Sequence, residues 1–68
     1  MAAILVRFGL HLRQVRTAKG VSQEKLAVLA GLHRTYVSSV ERGKCNISLI
    51  NIDRLAGALR VPLAKLMP

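Results

Sequence analysis

Leu5, Phe8, Leu12 and Val15 recur at spacings of three and four, one apolar stripe on a helix whose other faces carry Arg7, Arg13, Gln14 and Thr17. Gly20 follows Lys19 and suits a helix end, so a first helix is predicted from about Ala3 to Lys19. Three later helix starts share one signature. Ser22 is flanked by Val21 and Leu26, His33 by Leu32 and Val37, and Ser48 by Ile47 and Ile52. Each apolar pair has the spacing of a hydrophobic staple, which fixes the angle at which the chain enters the helix. Serine caps well because its oxygen accepts a bond from an orphan amide, whereas His33 is a poorer choice. Helices are therefore predicted over Gln23 to Ala30, Arg34 to Arg42 and Leu49 to Leu59, with a short last one from Leu63 to Met67 behind Pro62. The second is closed by Gly31 and the third by Gly43. No stretch alternates as a strand would, and the expected fold class is all-α with five helices.

The length of 68 residues allows one domain, expected over residues 1–68. A chain this short buries only roughly 60% of its unfolded surface, so its core is thin and pairing with another copy is an expected source of stability.

Charge narrows the partners. Eleven Lys and Arg against three acids give a formal net charge of +8, a self-repulsion that a polyanion relieves. The cations are spread along the chain, which fits basic faces on a folded domain and not a disordered tail.

Cys45 stands alone, and His11 and His33 lie far apart, so neither a disulfide nor a metal or cofactor site is expected. No apolar run approaches the ~18 residues of a membrane span. The opening Met-Ala-Ala-Ile-Leu-Val is too short for a typical signal segment. The first sixteen residues are acid-free and Arg-bearing like a transit peptide, but their periodicity runs straight into the next helix signal. A cytoplasmic location is expected.

The second and third helices are separated by only Gly31, Leu32 and His33. A turn that tight holds two helices at a steep angle, the geometry of a helix-turn-helix. It needs a small residue where the helices approach, supplied by Ala27, and a turn residue, supplied by Gly31. Val37 and Val40 put the inner face of the third helix on the core.

These residues carry a resemblance. Ser22-Gln-Glu-Lys-Leu-Ala27, Gly31, Arg34-Thr-Tyr-Val-Ser38 and Val40-Glu-Arg-Gly43 resemble the Cro/repressor-type helix-turn-helix family over about Phe8 to Leu66. Arg34-Thr-Tyr-Val-Ser38 and the stretch Asn46 to Ile52 look most like the controller proteins of restriction–modification systems.

The resemblance implies a five-helix repressor-like domain that binds double-stranded DNA at an inverted repeat as a homodimer, with the third helix in the major groove. Arg34, Thr35, Ser38 and Ser39 then match positions that face bases. Arg34 can form a bidentate bond to guanine, and the Thr35 methyl can touch a thymine methyl. Gln23, Tyr36, Arg42, Lys44 and Asn46 match positions at the DNA backbone, and a helix N-terminus with an amide side chain is a good anion site. Arg16 and Glu41 match a pair bridging the first and third helices. Lys25, His33 and Pro62 depart from the family's usual acidic or serine residues, and controllers usually run about a dozen residues past the position of Pro68.

Plainer readings stand beside these. Tyr36 also reads as a packing residue with a wet hydroxyl. Arg42, Lys44 and Asn46 suit an ordinary helix exit, and Arg16 with Glu41 a surface pair of little value. His11 and His33 read as polar surface residues. Ile50, Leu63, Leu66 and Met67 are candidates for a dimer patch or for the core.

The expected function is a sequence-specific DNA-binding transcriptional regulator of restriction–modification genes. The alternative is the antitoxin of a toxin–antitoxin pair, binding a protein toxin and its own promoter. A basic amphipathic membrane binder would fold only on anionic lipid. RNA binders use an aromatic platform, and Phe8 and Tyr36 are the only aromatics. The chain has no nucleophile–base pair, paired carboxylates or phosphate-cradling Gly-rich loop, so no enzyme is expected.

Overall fold

The Oγ of Ser22 accepts a hydrogen bond from the Lys25 amide at 3.0 Å, and that of Ser48 accepts one from the Asn51 amide at 3.1 Å. Both serine caps are thus made, each satisfying one of the orphan donors that every helix start carries. His33 occupies the same position before its helix and makes no such bond. The computed structural model describes residues 2–68, and these form five helices with no strand among the described residues. They are α1 (Ala3–Ala18), α2 (Gln23–Ala30), α3 (Arg34–Glu41), α4 (Leu49–Leu59) and α5 (Leu63–Leu66). Three ends fall one residue short of the expected Lys19, Arg42 and Met67, because the last helical turn gives way to the cap.

Four of the helices end alike. Gly20, Gly31, Gly43 and Arg60 take positive φ near 60–70°, and the next amide reaches back five residues. The bonds run from Val21 to Arg16 O (3.2 Å), Leu32 to Ala27 O (2.9 Å), Lys44 to Ser39 O (2.9 Å) and Val61 to Ala56 O (3.0 Å). This is the Schellman arrangement, in which an apolar residue after the turn packs back on the domain. Val21, Leu32 and Val61 do so. Val21 and Leu32 therefore serve twice, closing one helix and stapling the next, which is why the intervening turns are so short. Arg60, at φ 57°, does without glycine what the other three ends do with it.

The core collects one stripe from each helix. Phe8 and Leu12 come from α1, Leu26, Ala27 and Ala30 from α2, and Val37 and Val40 from α3. Ile52, Leu55, Ala56 and Leu59 come from α4, and Leu66 from α5. Leu66 is fully buried, which corrects its placing in a dimer patch. A helix of one turn has a single inward anchor, and Leu66 is that anchor. Leu63 packs against the core and is half-buried, whereas Ile50 is 69% exposed and Met67 44%. His11, expected as a plain surface residue, is half-buried, and its Nε2 bonds the Lys65 carbonyl at 2.7 Å, tying α1 to α5.

Gly9 sets the approach of α1 to α3. A Cβ there would lie 2.6 Å from the Glu41 carbonyl oxygen, backbone that has no room to move. Only glycine lets α1 lie directly against the C-terminal end of α3.

Candidate nucleic-acid interface

Ala27 is 3% exposed at the α2–α3 contact, and Gly31 makes the turn at φ 69°. Val37 and Val40 turn inward, so the opposite side of α3 faces solvent by default. That side presents Arg34 and Thr35 exposed, with Ser38 and Ser39 half-buried behind them. Arg34, Thr35 and Ser38 share a groove of about 220 Å³ with Gln23, the first residue of α2. Ser39 does not line this groove.

The flanks of α3 carry the other expected residues. Arg42, Lys44 and Asn46 are exposed at the exit of α3 and in the following loop. The Arg42 Nε leans back on the Ser38 carbonyl at 3.4 Å. Tyr36 is half-buried against the core, and its hydroxyl accepts a bond from Asn51 Nδ2 at 3.0 Å. The packing reading of Tyr36 holds for the ring, and the hydroxyl, which accepts from Asn51, keeps its own proton to donate. Asn51 was not singled out from the sequence, and nothing in its spacing marks it as the partner of Tyr36.

The Arg16–Glu41 pair is internal. Arg16 Nε lies 2.6 Å from Glu41 Oε2, and Nη2 donates to Oε1 at 3.0 Å, with the two side chains 10% and 3% exposed. Arg16 Nη1 donates to the Val21 carbonyl at 2.8 Å, and Gln23 Nε2 donates to Glu41 Oε1 at 3.0 Å. The surface-pair reading of Arg16 and Glu41 is therefore corrected. Bidentate geometry and saturation of both partners are what make a buried ion pair tolerable. Among the described residues no buried side-chain polar atom lacks a partner.

Burial of this pair removes one cation and one acid from the surface. Ten Lys and Arg remain exposed, against Glu24 and Asp53. Glu41 is the sole acid of α3, so the groove face of that helix carries no free negative charge to repel a phosphate. Among the described residues no cluster of metal-ligating side chains occurs and no helix is long and apolar enough to cross a membrane.

A short turn between two helices, a second helix with a polar basic outer face, and cations on its flank define a DNA-binding helix-turn-helix protein. The family model described as helix-turn-helix matches residues 12–66, and the chain belongs to that family, whose members are DNA-binding transcription regulators and not enzymes. It is 51% identical over 59 residues to the control protein C.BamHI of Bacillus amyloliquefaciens, a match spanning 85% of this chain and 73% of that one. The crystal structure of the restriction–modification controller protein C.AhdI from Aeromonas hydrophila superposes with a TM-score of 0.95 at 56% identity, covering 97% of this chain and 100% of that one. The controller C.Esp1396I, solved as a tetramer with its natural 35-base-pair operator, superposes with a TM-score of 0.87 at 29% identity, over 91% of this chain and 82% of that one.

Proposed function

We propose that this chain is a controller-type transcription regulator of restriction–modification genes, acting in the cytoplasm as a single helix-turn-helix domain. It binds an inverted-repeat operator as a homodimer, with α3 of each subunit in the major groove of one half-site. The observation that carries this reading is the outer face of α3. Arg34, Thr35 and Ser38 line an open groove with no free acid on their helix, and Arg42, Lys44 and Asn46 are exposed beside it. Arg34 and Thr35 read bases, with Ser38 and Ser39 behind them. Gln23, Tyr36, Arg42, Lys44 and Asn46 meet the phosphates.

The dimer is supported by a second surface. Leu49, Ile50, Asp53 and Leu63 line an apolar groove of about 350 Å³ on α4 and α5, with Leu49 and Ile50 among the most exposed large apolar residues of the chain. A two-fold dimer uses the same patch from both copies and puts the two α3 helices about one DNA turn, ~34 Å, apart. The names of the related proteins, control and controller proteins, favour this reading over an antitoxin.

Selection of bound sequences from randomised duplex DNA at about 0.15 M salt tests the whole reading. Recovery of an inverted repeat whose half-sites lie one helical turn apart is expected. Recovery of random sequence alone would reduce the chain to an electrostatic DNA binder.

A further inference from the structure

Gln23 is tied to a carboxylate that has no need of it. Glu41 already receives two bonds from Arg16, one on each oxygen. The third, from Gln23 Nε2 at 3.0 Å, adds a donor to an oxygen that has a lone pair to spare. The direction of that bond follows from chemistry alone. An ionised carboxylate accepts and never donates, so the nitrogen of the Gln23 amide faces Glu41 and the flipped amide is excluded. One Nε2 hydrogen is thereby committed, and the second is the only donor the side chain has left.

Gln23 is also half-buried and lines the groove shared by Arg34, Thr35 and Ser38. Its backbone sits at the first position of α2, where amides point toward the approaching anion. We propose that Glu41, held in place by Arg16, is a positioning residue for DNA binding. It holds the Gln23 amide in one orientation before DNA arrives, with a single N–H available to a phosphate oxygen. Ordering a free glutamine on contact costs rotamer entropy, and a side chain already held does not incur that cost again. The buried pair thus acts on the interface from beneath, through one residue, without touching DNA itself. The inference rests on the DNA-binding reading above and names how one contact of that site is prepared.

The test is a coupling measurement. Gln23→Ala leaves the Arg16–Glu41 pair whole, so it is expected to change the melting temperature little. The clamp is removed by replacing both members of the pair, Arg16→Met with Glu41→Leu, since an apolar replacement of a whole buried pair is commonly tolerated. Affinity is read on a mixed-sequence duplex long enough for one dimer. Gln23→Ala is expected to weaken binding about tenfold in the natural chain and by less than about twofold in the clamp-free background. An equal loss in both backgrounds would overturn the proposal.

If the clamp-free chain does not fold, the natural chain decides by nuclear magnetic resonance of the Gln23 Nε2 protons. Two well-separated proton signals are expected, only one of which moves when duplex is added. Movement of both means the carboxylate bond is given up on binding and overturns the proposal. No affinity of the natural chain for any duplex would remove the DNA-binding reading itself, and this inference with it.

Discussion

Arg34 and Lys44 are both exposed cations, and the function proposed above gives them different work. Arg34 sits on the groove-lining face of α3 beside Thr35 and Ser38, where its planar fork can meet the two acceptors on a guanine edge. Lys44 lies past the end of α3 on a loop, a mobile point charge suited to a phosphate. Arg34→Ala is expected to cost about 1–3 kcal/mol of binding and relax preference at one base pair. Lys44→Ala is expected to weaken all sequences alike and to lower the salt slope by about one. Affinities for a selected site and its single-base variants, measured at several salt concentrations, separate the two. Unchanged sequence preference in Arg34→Ala would mean that another face of the domain reads the bases.

The elements of this domain are closed by a shared device and opened by an unequal one. Ser22 and Ser48 cap α2 and α4 through their side chains, whereas α3 starts behind His33 with no side-chain cap. The helix proposed to enter the groove is therefore the one of the three that starts without a side-chain cap. Its first N–H groups have no side-chain acceptor, and a phosphate can serve as one. His33→Ser is expected to stabilise the free domain by about 0.5–1 kcal/mol, read as a rise in melting temperature. No rise would show that the α3 N-terminus is already satisfied by solvent. Within the same elements, Gly9 supplies what capping cannot, a place where α1 meets the carbonyl end of α3 backbone to backbone.

At the scale of the whole molecule, α4 and α5 carry both core residues and the pairing surface proposed above, and Leu63 takes part in each. Leu66 is fully buried, and Leu66→Ala is expected to cost about 2–5 kcal/mol, as much as a domain this small has to lose. Ile50 is 69% exposed beside the apolar groove. Ile50→Lys is expected to leave the fold intact, because that side chain supports nothing in the monomer. It should weaken dimerisation more than about tenfold, since a two-fold interface loses the residue twice and gains two like charges. Analytical ultracentrifugation across a concentration series, with circular dichroism melts alongside, reads both effects. A dimer unaffected by Ile50→Lys would move the pairing surface elsewhere. The net charge of +8 adds to this scale. On the dimeric reading proposed above, it opposes the close approach of two copies in free solution, and the phosphates of a shared operator would relieve it, coupling DNA binding to pairing.

The sequence by itself determined the five helices, their stops and starts, the helix-turn-helix and the face of α3 that looks outward. All of these are local: apolar period, cap residues, glycines at turns and net charge are properties of neighbours along the chain. Of the candidate site, Arg34 and Thr35 lie on the face opposite the core stripe of α3, whereas Arg42, Lys44 and Asn46, at the exit of that helix and in the loop after it, were legible only through the resemblance to the helix-turn-helix family. The tertiary structure decided what depends on contacts between distant segments. It drew Leu66 inward, put the Arg16–Glu41 pair out of solvent, and joined Gln23 to Glu41, Asn51 to Tyr36 and His11 to the Lys65 carbonyl. Periodicity does not encode those partners, because a polar side chain bonds whatever the packing of helices brings within about 3 Å. Gly9 alone left a readable trace, a glycine inside an apolar helical stripe that costs helix stability and so marks a close approach.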